Sequence, residues 1–191
     1  MKTALLLVLL CWPILAAAEN PDPFLVGQVL AQGRVKDPAY VESVVLAAQS
    51  AATQDFPVEL LLGLADVESD FESRSVSRLI GSARQTGTWR SSKAPKGSHG
   101  NYFCGITQAI APTWKRCMEL RDPAVAMTAG VAELQAWLKR GKSVRIALQG
   151  HGCGNAGMTG ACASYATRVL RRARLFIIPA PGPRPKRKPS S

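Results

Sequence analysis

The sequence predicts a mainly helical protein built as one domain. Alanine and leucine dominate, aromatics make up only 6%, and long β-branched runs are absent, a balance that favours helix over sheet. Apolar residues recur at helical spacing in several separate segments. With an export segment and a polar tail set aside, about 150 residues remain, enough for one domain with a real core.

Residues 1–18 read as a signal peptide. Lys2 supplies the charge, Ala4 to Leu15 form an apolar stretch too short for a comfortable membrane span, and Ala16, Ala17 and Ala18 offer a cleavage site before Glu19. Cys11 lies inside this segment and follows Leu10, so it reads as discarded rather than lipidated. Residues 19–36 form a leader with weak periodicity. The main domain is placed at 37–178.

Its first helix starts at Asp37-Pro38, a capping acid followed by a proline at the first helical position, and runs to about Gln54. A second begins near Phe56-Pro57 and buries Leu60, Leu61, Leu64, Val67 and Phe71. The polar run from Ser82 to Asn101 is rich in Gly, Ser and Lys and predicts a surface loop. A glycine turn and a short helix near Pro112 follow. Asp122-Pro123 opens the clearest helix, with Lys139 and Arg140 in its last turn and Gly141 at its end. A further helix, Ser143 to Gln149, breaks into a glycine-rich loop that holds His151, and a last helix spans about Ala163 to Leu175. Residues 179–191 are proline-rich and basic and predict a disordered, solvated tail.

Export makes the cysteines interpretable. Cys104, Cys117, Cys153 and Cys162 remain after cleavage, an even number in an oxidising compartment. Three pairings are open, and the local one, Cys104 with Cys117 and Cys153 with Cys162, is preferred. A zinc site of His151, Cys153 and Cys162 is set aside because no C-x-x-C pair occurs. The formal net charge of +11 suits an anionic partner such as cell-wall polymer. Nucleic acid is set aside, since there is no zinc finger, no RNA-binding signature and no basic stripe interleaved with aromatics. No stable membrane span is expected after signal cleavage.

Glu68 is the candidate for chemistry. Leu61, Leu64 and Ala65 precede it by seven, four and three positions, so its carboxyl is expected on an apolar face. A carboxyl held there keeps its proton more readily and can serve as a general acid. Asp66 and Asp70, two residues to either side, are read as solvent-facing. "VESDFESRSVS", then "GITQ", "ALQGHGCGN" and "SYATRVLRRA" resemble the soluble lytic transglycosylases, lysozyme-like enzymes of bacterial peptidoglycan. Glu68-Ser69 matches that family's Glu-Ser pair at a helix end, and Ser77 its serine nine residues on. Gly105-Ile106-Thr107-Gln108 is similar to its Gly-Leu-Met-Gln turn. Pro112-Thr113, Asp122-Pro123 and the Gly130 to Leu134 step also match, and Tyr165 stands where its last helix begins. The likeness covers about Asp37 to Leu175.

The resemblance implies a lysozyme-like fold and cleavage of the bond between N-acetylmuramic acid and N-acetylglucosamine, with a 1,6-anhydro product. Glu68 would act first as acid and then as base, without metal or organic cofactor. Ser77, Gly105, Ile106, Thr107, Gln108, His151 and Tyr165 would contact the glycan strand. The protein would work in the periplasm or cell envelope, or be secreted. The chain departs from the family where His151-Gly152-Cys153-Gly154 replaces Tyr-Asn-x-Gly, and where Thr107 replaces methionine. Three rivals stand beside this reading: a lysozyme-type hydrolase; a catalytically impaired protein that binds glycan or serves a cell-envelope secretion machine, suggested by the His151-Gly152 change; and a cationic envelope-damaging protein that acts through charge alone.

Overall fold

A computed structural model describes residues 20–80, 83–141, 143–154 and 160–177. The proposed signal peptide and the basic tail lie outside the described residues. Within them are seven α-helices and one small antiparallel sheet, so the protein is mainly helical.

The leader is not irregular. It contains α1, Pro23–Ala31, capped by the Asp22 carboxylate, which accepts from the Phe24 N–H at 2.8 Å. Only Leu25, Gln28 and Val29 are buried on it; so short a stripe leaves little periodicity to read. Next, α2, Pro38–Ala51, follows the expected Asp37 cap and buries Val41, Val44, Val45, Ala47 and Ala48.

The central helix is α3, Val58–Ser69. Every residue from Leu60 to Asp66 is buried, the pattern of a helix covered on all sides. Asp66 therefore corrects the solvent-facing expectation. Its carboxylate is sealed from water and pairs with Arg34 and Arg172, each at 3.1 Å. An offset of two positions from Glu68 points to another face, but on this helix that face is covered too. Asp70 is exposed, as expected, and pairs with Arg34.

Two consecutive left-handed residues, Asp70 (φ 52°) and Phe71 (φ 62°), stop α3. Their N–H groups return to the carbonyls of Asp66 and Ala65 at 3.2 and 3.3 Å, satisfying the open helix end. Such a conformation costs a non-glycine residue about 1–2 kcal/mol. Tertiary contacts hold it: the Tyr40 hydroxyl donates to the Phe71 carbonyl at 2.7 Å, and the buried Phe71 ring meets Phe176 edge to face. The consequence is positional, because the helix ends directly after Glu68-Ser69.

The chain then forms β1 (Ser75–Ile80), β2 (Ala83–Thr88), β3 (Ser98–Cys104) and β4 (Ala109–Ala111), in the order β2-β1-β3-β4. This corrects the expected surface loop over Ser82 to Asn101 in part: 83–88 and 98–101 are strand, while 89–97 is the connection between β2 and β3. The described residues of β2 are exposed and polar, so the apolar alternation that reveals a strand is missing. Backbone pairing makes the strand: Ser75 to Ile80 face Thr88 to Ala83 in register. A small second core of Val76, Tyr102, Cys104, Ala109, Ala111, Cys117 and Leu120 lies beneath the sheet.

Four helices complete the domain. α4, Trp114–Glu119, is capped by Thr113, and α5, Pro123–Gly141, by Asp122, the latter as read from the sequence. α6, Val144–Cys153, starts at the Ser143 cap but runs on through His151 and Gly152. The histidine is therefore helical and not part of a glycine loop. α7, Gly160–Ala173, packs along α3 and leads into a 3-10 turn, Arg174–Phe176. The disulfides are Cys104–Cys117 and Cys153–Cys162, the local pairing. They fit an oxidising compartment and leave none of the four cysteines free to bind metal. Among the described residues no helix is long and apolar enough to cross a membrane.

Candidate functional site

Glu68 occupies the last turn of α3, half-buried. The Tyr165 hydroxyl, reaching across from α7, donates to its Oε1. Among the described residues this is the one hydrogen bond Glu68 makes. Burial, the Glu68 charge and the bond to Glu68 push the Tyr165 phenol well above its ordinary value. It thus stays a donor at any physiological pH. Tyr165 was singled out for sugar contact; in the structure it grips the candidate acid.

The neighbouring Ser69 explains why a Glu-Ser pair matters. Its hydroxyl lies 3.0 Å from the Ala65 carbonyl oxygen one turn back and 2.9 Å from that of Ile106, and shares its one proton between them. The second bond ties the Gly105–Gln108 turn to the end of α3. The turn has its own locks. Gly105 takes φ 73°, and a Cβ there would lie 2.0 Å from the Leu120 carbonyl oxygen, so no side chain fits. Gln108 is also left-handed, at φ 50°. Its buried amide donates to the carbonyls of Ser75 and Gly105, both at 3.0 Å. Thr107 is fully buried and donates to the Ala126 carbonyl at 2.8 Å.

These placements refine the expected contact set. The side chains of Ile106, Thr107 and Gln108 are buried and committed internally, so they shape the turn rather than present groups to a ligand. Ser77, 4% exposed, belongs to the sheet: its hydroxyl bonds Thr86 at 2.9 Å and accepts from Arg84 at 2.8 Å. Glu68, Tyr165, the turn and His151 come together; the Ser77 hydroxyl is engaged by Thr86 and Arg84.

His151 connects the turn to α5. Its Nε2 lies 2.9 Å from the Thr107 carbonyl oxygen, and its Nδ1 lies 3.2 Å from Glu133 Oε2. Burial alone would lower the pKa of this imidazole. The Glu133 hydrogen bond, the charges of Glu68 and Glu133, and the Thr107 carbonyl outweigh it, and the net shift is upward. The other Glu133 oxygen accepts from the Ile110 N–H at 2.6 Å. Sequence reading passed over Glu133. The available signal was an acid beside the buried Ala126, Met127, Gly130, Val131 and Leu134 stripe of α5, where solvated glutamates are far commoner.

Gly152, which stands where the resemblance expects asparagine, now has a physical reason. A Cβ at this position would lie 2.6 Å from Cδ1 and Cε1 of the Tyr165 ring. The helix presents bare backbone so that the phenol can lie flat against it and reach Glu68. The Cys153–Cys162 bridge then fastens the end of α6 to the start of α7, holding His151 and Tyr165 in one frame. A concavity of about 560 Å³ beyond the end of α3 is lined by Arg34, Tyr40, Asp70, Glu72, Arg74 and Arg121, among others, but not by Glu68. It is separate from this site. No family model, curated protein or solved structure matches the chain.

Proposed function

We propose that the protein is a peptidoglycan lytic transglycosylase with a lysozyme-like fold, and that Glu68 is its general acid and then its base. The observation that carries this is the setting of Glu68: half-buried at the end of a covered helix, held at Oε1 by Tyr165, and followed by Ser69, which ties the helix end to the Gly105–Gln108 turn. The order of elements supports the fold, with the acid closing a buried helix, a small antiparallel sheet directly after it, and further helices packed behind.

In the proposed reaction Glu68 gives its proton to the oxygen linking N-acetylmuramic acid to N-acetylglucosamine, and the bond from that oxygen to C1 breaks. The substrate's own N-acetyl oxygen stabilises the positive charge at C1. Glu68, now a carboxylate, takes the proton of the muramyl 6-hydroxyl as that oxygen bonds to C1. The 1,6-anhydro end forms without water. Glycosidases that use two carboxylates need the second one free to act as base or nucleophile. Glu133, the other acid of the site, is bonded to His151 and to the Ile110 N–H, which favours the one-acid route.

The turn would form part of the floor on which the glycan strand lies, with its backbone held by Ser69, Gln108 and His151. Peptidoglycan strands are the partner, and a cell-envelope compartment is the setting that the two disulfides fit. Glu68→Gln should abolish release of anhydromuropeptides from purified sacculi while the circular dichroism spectrum is unchanged. Release at the wild-type rate would refute the assignment. Products heavier by one water would instead establish the hydrolase, and binding to sacculi without soluble product would establish the glycan-binding protein.

A further inference from the structure

We propose that Glu133 and His151 form a charged latch that positions the Gly105–Gln108 turn beside Glu68, and that loss of one proton from His151 releases it.

The premise is a count of protons. Both His151 nitrogens face atoms that carry none, the Thr107 carbonyl oxygen at Nε2 and the Glu133 carboxylate at Nδ1. A neutral imidazole has one N–H and one lone pair. It can satisfy one of these acceptors and must aim its lone pair at the other. Only the imidazolium carries a proton on each side, bonding the Thr107 carbonyl and holding Glu133 as an ion pair at 3.2 Å. The side chain is 2% exposed, so water cannot take up the unmatched contact, and a buried mismatch of this kind is costly. The charged groups that face the ring are Glu133 from α5 and Glu68 from α3; the turn contributes the Thr107 carbonyl, and α7 presents its neutral Tyr165 phenol to Glu68. The upward shift of His151 agrees with this arrangement.

The latch acts on the site through two neighbouring carbonyls. Ser69 of α3 holds that of Ile106, and His151 of α6 holds that of Thr107. Glu133 fixes the ring from behind and also binds the Ile110 N–H of β4, so turn, sheet edge and two helices meet at one ion pair. When His151 loses its proton, the ion pair with Glu133 is lost, or the bond to Thr107 becomes a contact between a lone pair and an acceptor. The ring must then leave either the turn or Glu133. Activity should therefore carry an alkaline component set by His151, additional to the one that the Glu68 general acid itself imposes. Glu133 is a positioning residue in this scheme and does not touch substrate.

The proposal rests on the transglycosylase reading for its activity readout alone. The first test is independent of activity. The chain has two histidines, His99 and His151, so ¹⁵N-histidine NMR of the full chain, with His99→Gln for assignment, follows His151 directly. Both ring nitrogens of His151 should be protonated at pH 6.5, with a titration midpoint above the ordinary 6.5. In Glu133→Gln the midpoint should fall by about one pH unit or more. A single protonated nitrogen at pH 6.5, or an unmoved midpoint, overturns the latch. The second test is the pH profile of sacculus cleavage, in which this component should follow the NMR midpoint and move with it in Glu133→Gln. A profile with no component that follows the midpoint also overturns it. If Glu133→Gln does not fold, the wild-type titration and the profile of His151→Gln decide, the latter losing this component. A chain that titrates as expected yet cleaves no glycan would refute the transglycosylase and leave the latch standing.

Discussion

Replacing Gly152 by alanine tests the packing of the site in a way that propensity alone would get backwards. Within a helix, alanine is ordinarily preferred to glycine by about 1 kcal/mol. Here the new Cβ would fall 2.6 Å from Cδ1 and Cε1 of Tyr165 and 2.8 Å from Cγ. Ordinary carbon–carbon contact is about 3.5–4.0 Å, so the ring must retreat by about 1 Å. The atoms struck belong to the body of the ring, and the hydroxyl beyond them is bonded to Glu68. Overpacking of this kind costs about 1–3 kcal/mol, which for a chain of this size lowers Tm by about 2–4 °C per kcal/mol. Displacing a positioning group by about 1 Å can slow a reaction on the order of 100-fold. Gly152→Ala should therefore melt several degrees lower and release anhydromuropeptides about 100-fold more slowly, by calorimetry and by chromatography of digested sacculi. A variant that melts higher, as helix propensity would have it, and cleaves at the wild-type rate would refute the close approach of Tyr165 to α6.

Tyr165→Phe keeps the ring and removes the bond to Glu68; a hydrogen bond to a charged group contributes about 1.5–3 kcal/mol, so turnover should drop on the order of tenfold to 100-fold with the circular dichroism unchanged. Because folding raises the pKa of His151 above 6.5, its contribution to stability is fully present below pH 6.5 and is lost as pH rises through the folded-state value. Tm should accordingly fall on the alkaline side, with a slope of at most about 1.4 kcal/mol per pH unit, and scans of His151→Gln should lack that component. Opening the Cys153–Cys162 bridge, which closes a separation of 9 residues, by a double serine replacement should cost about 2.5 kcal/mol in chemical denaturation. It should also lower activity, since the two helix ends it joins carry His151 and Tyr165.

What the sequence disclosed about the fold was local chemistry. Asp37-Pro38 and Asp122-Pro123 are capping pairs whose roles depend on immediate neighbours, and each starts a helix where expected. Glu68 was singled out less by the apolar positions on its own helix than by the motifs around it that resemble the transglycosylases. Features that depend on distant partners were hidden. The described residues of β2 carry no buried face, and the strand exists because β1 pairs with it. Asp66 looked solvated because its two arginines lie on α7 and in the segment after α1. Glu133 gave little sign of itself, since only the fold brings His151 against it. Gly152 read as the loss of a useful asparagine until the Tyr165 ring was found lying on it.

Mass spectrometry of sacculi digested by the wild-type chain and by Glu68→Gln addresses the catalytic assignment most directly. The wild type should release disaccharide peptides ending in 1,6-anhydro-N-acetylmuramic acid, one water lighter than hydrolysed fragments, and Glu68→Gln, folded to the same circular dichroism spectrum, should release none. Equal release from both proteins would contradict the account.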